Sequence, residues 1–188
     1  MTVVSFPEIA ERELVERLLG RPSRVPFTVA KRCSDGTPQV IQTEPVFWED
    51  EMWKPFPGVF WLLCPVLRVT ISRLETDGFV KQMMTRLEKD HEFFQLFAAG
   101  QKEAMEWRMQ RVRELLPNGI DERIRSTLEE RNLVGSRSDL GVKCLHGHAA
   151  MFLVYGKNPI GEEVIKQVGD CPGIHDGLNE AADKGRVQ

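Results

Sequence analysis

The chain has 188 residues, 41% apolar and 28% charged, with a formal net charge of −3. That length suits one domain with a real core, and the ordinary composition reads as globular. A mildly acidic balance argues against a general affinity for nucleic acid, which shows as a basic footprint.

Ser5-Phe6-Pro7-Glu8 has capping-box spacing, and Ile9, Leu14, Leu18 and Leu19 follow a helical stripe that Gly20 ends. The spacing predicts a first helix near 6–19. Prolines 22, 26, 38, 45, 55 and 57 then exclude any long helix. Phe27–Ala30 and Gln39–Thr43 read as short strands around the turn Arg32-Cys33-Ser34-Asp35-Gly36-Thr37-Pro38. Phe47–Trp53 reads as a loop or another short hairpin, and Val59–Leu63 as a buried third strand. The aromatic group Phe47, Trp48, Trp53, Phe56, Phe60 and Trp61 either walls a ligand cleft or forms the core of the sheet.

From Pro65 the pattern is helical. Leu67, Ile71 and Leu74 form one run, broken at Gly78, and Val80, Met83, Met84 and Leu87 form the next. Asp90 caps a long helix with Phe94, Phe97, Ala98, Met105, Met109, Val112 and Leu116 on one face, stopped at Pro117-Asn118-Gly119. The Met-rich stripe reads as core packing in preference to a partner groove. Ile120–Arg131 is a further short helix and 135–139 a loop. Val142–Tyr155 is apolar and helical in pattern, and Asn158-Pro159 opens a last helix. From Gly169 the chain reads as a loose tail. The expected fold is α+β: one domain over 1–168, with an antiparallel sheet of about three strands at 26–64 and a mainly helical bundle from 65.

The longest apolar run, Val59–Leu67, is too short to span a membrane, and Met1–Ala10 lacks the pattern of a secretory leader. The expected location is the cytoplasm, where cysteines read as reduced thiols or metal ligands. Cys33 lies in a turn, Cys64 precedes the proline that opens a helix, and Cys144 begins Cys144-Leu145-His146-Gly147-His148. Thiolate and imidazole together are zinc ligands, and a helix N-terminus favours a thiolate. On a regular helix Cys144 and His148 share a face, whereas His146 reaches the same ion only if Cys144 sits in an entry turn. The candidate metal residues are therefore Cys33, Cys64, Cys144, His146 and His148. No Cys-x-x-Cys pair is present. Zinc is the leading cofactor, with an iron–sulfur cluster the alternative. The rival chemistry is a thiolate–imidazolium nucleophile built on Cys144 or Cys64. Asp35, Glu44 and Glu75 are base candidates by proximity in sequence. Lys31, Arg32, Arg68, Arg73 and Lys143 line an anion pocket or a solvated surface. Cys171 and His175, four apart in a Gly- and Pro-containing stretch, read as a tail feature.

The runs Leu19-Gly20-Arg21-Pro22, Val29-Ala30-Lys31-Arg32-Cys33, Pro55-Phe56-Pro57, Phe60-Trp61-Leu62-Leu63-Cys64-Pro65, Ile71-Ser72-Arg73-Leu74-Glu75, Gly141–His148 and Asn158-Pro159-Ile160-Gly161 together resemble a bacterial family of unknown activity, domain of unknown function 501. The resemblance covers roughly 18–168. It implies metal ligation by Cys33, Cys64, Cys144 and His146, and favours His146 over His148. Met151 stands where relatives often have a further histidine, and Asp35 where some have a second cysteine. The function expected is a metal-stabilised binding or regulatory module with an unknown protein or small-molecule partner. The alternative is a small metal- or thiol-dependent, hydrolase-like enzyme using the Cys144/His146/His148 region.

Overall fold

The computed structural model describes residues 6–134, 136, 141–173 and 175. Helix α1 (Ile9–Leu19) leads into strands β1 (Phe27–Arg32) and β2 (Pro38–Thr43), the hairpin β3 (Val46–Glu49) and β4 (Met52–Pro55), and strand β5 (Phe60–Leu62). Six helices follow: α2 (Pro65–Thr76), α3 (Phe79–Lys89), α4 (His91–Leu115), α5 (Glu122–Glu129), α6 (Leu145–Tyr155) and α7 (Pro159–Val168). The fold is α+β. The sheet order is β1-β2-β5, antiparallel throughout, with β3 and β4 a separate two-stranded ribbon. The expected loop at 135–139 lies largely outside the described residues.

The hairpin closes through Asp50 and Glu51, both at positive φ, the backbone a two-residue primed turn needs. Pairing sets Trp48 opposite Trp53, their rings 5.6 Å apart edge to face. Helix starts follow local chemistry: the Asp90 carboxylate accepts from the Phe93 N–H, and the Asn158 side chain accepts from the Gly161 N–H with Pro159 beside it.

Helix α4 turns a slightly different face inward than the apolar stripe predicts. Phe93, Phe97, Gln101, Ala104, Arg108 and Val112 are buried. Met105 and Met109 instead line an open groove beside Arg113 and Glu129. Arg108 is fully buried. Its guanidinium donates to the carbonyls of Pro57 at 2.9 Å, Arg131 at 2.6 Å, Asn132 at 3.4 Å, and Leu128. Burial pulls its pKa down to about 10, which leaves it charged at neutral pH. One cation thus gathers the carbonyl ends of two segments that have no strand to pair with.

Helix α6 is the centre of the main core. His148, Ala149, Ala150 and Met151 are consecutive and all buried, so this turn has no solvent face. Helix α7 lies against it so closely that a Cβ at Gly161 would stand 2.1 Å from the His148 carbonyl oxygen and 2.6 Å from Phe152 Cβ.

Two predictions follow from this packing. Gly161→Ala should cost about 2–3 kcal/mol or more, because backbone and not a mobile side chain blocks the methyl group. A thermal melt should show it as a fall of roughly 5–10 °C, and an unchanged midpoint would contradict the close seat. His148 lies in the same contact, with burial holding its pKa down to about 4. The unfolded chain takes up a proton there near pH 6.5 and the folded chain does not. Stability should therefore fall as pH drops from about 6.5 to 4, by roughly 3 kcal/mol from this residue. His148→Asn keeps an acceptor for Asn158 and should lose that part of the slope in urea titrations at stepped pH.

Candidate metal centres

The turn after β1 is tight. The Cys33 N–H donates to Thr37 O and the Gly36 N–H to Cys33 O, both at 2.9 Å, and the Thr37 N–H donates to Asp35 Oδ1 at 3.0 Å. β2 and β5 pair antiparallel, which carries the end of β5 back to this turn. Cys64 is the N-cap of α2 there, its Sγ accepting from the Leu67 N–H at 3.5 Å. Beyond α7 the chain returns to the same place. The Asp170 carboxylate accepts from Gln39 Nε2 at 3.3 Å and from the Cys171 N–H at 2.8 Å. Gly173, at φ +75°, lies where a Cβ would come within 2.0 Å of Ser34 Oγ. A side chain there would strain the backbone and push Ser34 aside, which glycine avoids.

The result is a cluster of four buried ligand atoms. Cys33, Cys64, Cys171 and His175 each offer one atom, all within 4.8 Å of one another, and could hold a metal ion. His175 Nε2 is 3.5 Å from Cys64 Sγ and 3.3 Å from Cys171 Sγ. Its Nδ1 is 2.5 Å from Asp35 Oδ2. Such a carboxylate fixes the imidazole tautomer and turns the other nitrogen toward a metal. The Thr37 N–H, ahead of His175 itself, holds the Asp35 carboxyl below the usual range. Burial pushes the Cys33 thiol well up and the Cys64 thiol up to about 11, so without a cation both stay protonated.

A second cluster sits at the start of α6. Cys144 is the N-cap, extended at φ −150° and ψ 113°, so the regular helix begins only after it. His146 swings back from the first turn and sets Nδ1 3.7 Å from Cys144 Sγ and 3.3 Å from Glu75 Oε1. Glu75, from the last turn of α2, also accepts from the Leu145 N–H at 2.7 Å. His146 Nε2 faces Arg68 O at 3.1 Å and Ser72 Oγ at 3.3 Å. Burial pushes the Cys144 thiol up, but the bond to His146 and the Gly147 N–H outweigh it and hold it below the ordinary value. The bond to Cys144 raises His146 to about 9 against desolvation.

The five residues expected to ligate are thus distributed. Cys33 and Cys64 come together, with Cys171 and His175 as their neighbours. Cys144 and His146 meet each other and Glu75. His148 joins neither cluster: its Nδ1 accepts from Asn158 Nδ2 at 3.1 Å, its Nε2 has no partner among the described residues, and its ring packs 5.8 Å from Phe97. Cys171 and His175, expected in a loose tail, are buried; 174 and 176–188 lie outside the described residues. Their i, i+4 spacing was the only local signal.

The other candidates divide as well. Asp35 and Glu75 each join a cluster, whereas Glu44 holds Arg111 bidentately at 2.7 and 2.9 Å. Arg32 is paired with Glu11, and Arg68 donates to Leu18 O. Phe47, Phe56 and Trp61 wall a cavity of about 390 Å³ beside Arg21 and Arg123, while Phe60 stacks on Trp107 in the main core.

No curated protein and no solved structure matches the chain. One family does, over residues 29–166, a span that takes in Cys33, Cys64, Glu75, Cys144 and His146 and stops before Cys171 and His175. That span is most of the sequence, and the chain belongs to the family described as "Protein of unknown function (DUF501)".

Proposed function

We propose that the chain is a metal-stabilised binding or regulatory module, with one zinc ion held by Cys33, Cys64, Cys171 and His175. The observation that carries the reading is the four buried ligand atoms together with Asp35 behind His175. Zn–S bonds of about 2.3 Å and Zn–N bonds of about 2.0–2.1 Å at a tetrahedral angle hold S and N about 3.6 Å apart. The two S–N separations here are 3.5 and 3.3 Å. An iron–sulfur cluster spreads its terminal ligands over several irons and so holds them farther apart, which favours a single ion. The N–H groups of Leu67 and Gly173 donate to two of the sulfurs and would spread the thiolate charge.

Four protein ligands leave no open position, which supports a structural ion that staples the β1–β2 turn, the start of α2 and the segment after α7. Free thiols fit a reducing compartment such as the cytoplasm; no described helix is long and apolar enough to cross a membrane. A second reading, a small metal- or thiol-dependent enzyme of hydrolase type, is favoured by the half-buried Cys144–His146 pair. The partner or substrate in either case is a protein or small molecule.

Elemental analysis of protein purified without added metal should find zinc, no colour and no labile sulfide. Cys171→Ser should lose one equivalent and melt at a lower temperature, because ligation there is folding energy. Asp35→Asn should stay folded and bind that zinc about 10–100-fold more weakly. Equal metal content in wild type and Cys171→Ser would contradict the reading.

A further inference from the structure

We infer that Glu75, Cys144 and His146 form a second, open zinc site with an exchangeable fourth ligand, either water or a small anion. This deepens the second reading above, not the first, and concerns a different part of the fold.

Three groups from two elements converge there, and bonds to backbone hold two of them, His146 and Glu75, with their ligand atoms toward the others. His146 Nε2–H donates to the Arg68 carbonyl at 3.1 Å, so once an ion displaces the Nδ1 proton the ring turns that lone pair toward Cys144 and Glu75. A backbone carbonyl behind a histidine is a usual support for a ligating imidazole. The Leu145 N–H holds the Glu75 carboxylate at 2.7 Å. Cys144 precedes α6, whose unpaired N–H groups favour a thiolate.

The separations fit one ion. The three atoms lie within 4.8 Å of one another. Zinc bond lengths at a tetrahedral angle give edges of about 3.6 Å for S–N and about 3.4 Å for N–O. Here Nδ1 is 3.7 Å from Cys144 Sγ and 3.3 Å from Glu75 Oε1.

What separates this site from the first is its access. All three residues are only half buried, with His146 and Glu75 side chains 22% and 28% exposed. Three protein ligands with an accessible fourth position are the arrangement of zinc sites that bind and activate water, whereas closed four-ligand shells are structural. Binding displaces the one proton that Cys144 and His146 share: zinc takes the lone pairs of Sγ and Nδ1, and that proton leaves to solvent.

The test is zinc content of the full chain in four forms: wild type, Cys144→Ser, Glu75→Gln and Cys171→Ser. About two zinc ions per wild-type chain and one in each variant is the expected result. One ion that Cys171→Ser loses and the other two variants keep overturns this second site and leaves the first standing. One ion that Cys144→Ser and Glu75→Gln lose and Cys171→Ser keeps leaves this site standing and sinks the first. No zinc in any form overturns both. Because a variant that fails to fold loses metal for a trivial reason, wild-type protein supplies an independent arm. Cys144 is the one cysteine of the four that is not buried. Zinc returned to chelator-stripped wild-type protein should slow its alkylation by iodoacetamide about tenfold or more, and an unchanged rate overturns the site. In cobalt-substituted protein, added azide should shift the visible bands of wild type and leave those of Cys144→Ser unmoved. No shift in wild type overturns the open position.

Discussion

Helix α6 has to fit between the sheet and α7 with no room to spare, and most of the architecture follows from that fit. Four consecutive buried residues give one of its turns no water-facing side. Helix α7 then approaches to a distance only a glycine allows. The start of such a helix cannot drift, because its far side is fixed. Leu145 begins the helix fully buried, so the residue before it is forced into an extended cap at a defined depth. The position of Cys144 is therefore a by-product of apolar packing several residues away. The thiols at 33, 64 and 171 belong to the same continuous core. Both clusters hang from one packed unit, and neither rests on an isolated loop.

Much of the fold was legible because local chemistry agrees with the outcome. Proline density excluded any long helix between residues 21 and 64, and Asp90, Asn158 and the Cys64–Pro65 junction mark helix starts that the structure has. The inward face of α4 was less legible. An arginine at an inward position counts against burial in any apolar pattern, yet Arg108 is wholly enclosed, because four carbonyls converge on it. Those carbonyls come from residues 57 and 128–132, and nothing local to residue 108 announces them.

The site residues divide by the same logic. Whether Cys144 pairs with His146 or His148 depends on whether the helix is already regular at residue 144. The extended cap sets Cys144 beside His146, and His148 turns into the core toward Asn158. Cys171 and His175 lie in a stretch whose Gly and Pro suggest no periodic structure. Their importance comes from partners up to 140 positions away. Local pattern reports which face a residue takes within its own element, not which distant turn lies against it. Asp35 was visible only as a nearby carboxylate, and its bond to His175 required the fold.

The four candidate ligands also differ in when they come into existence. Cys64 and His175 are 111 positions apart, and a ribosome adding about 5–20 residues each second needs roughly 5–20 s to cover that stretch. For that interval Cys33 and Cys64 belong to a nascent chain whose sheet can already pair while half of the cluster has not been translated. Local strands and helices form in microseconds, so translation, not the search for structure, times the closing of this cluster. During synthesis the pair is open to chaperones, to small thiols and to whatever carries metal in the cell, and the arrival of the segment after α7 ends that access.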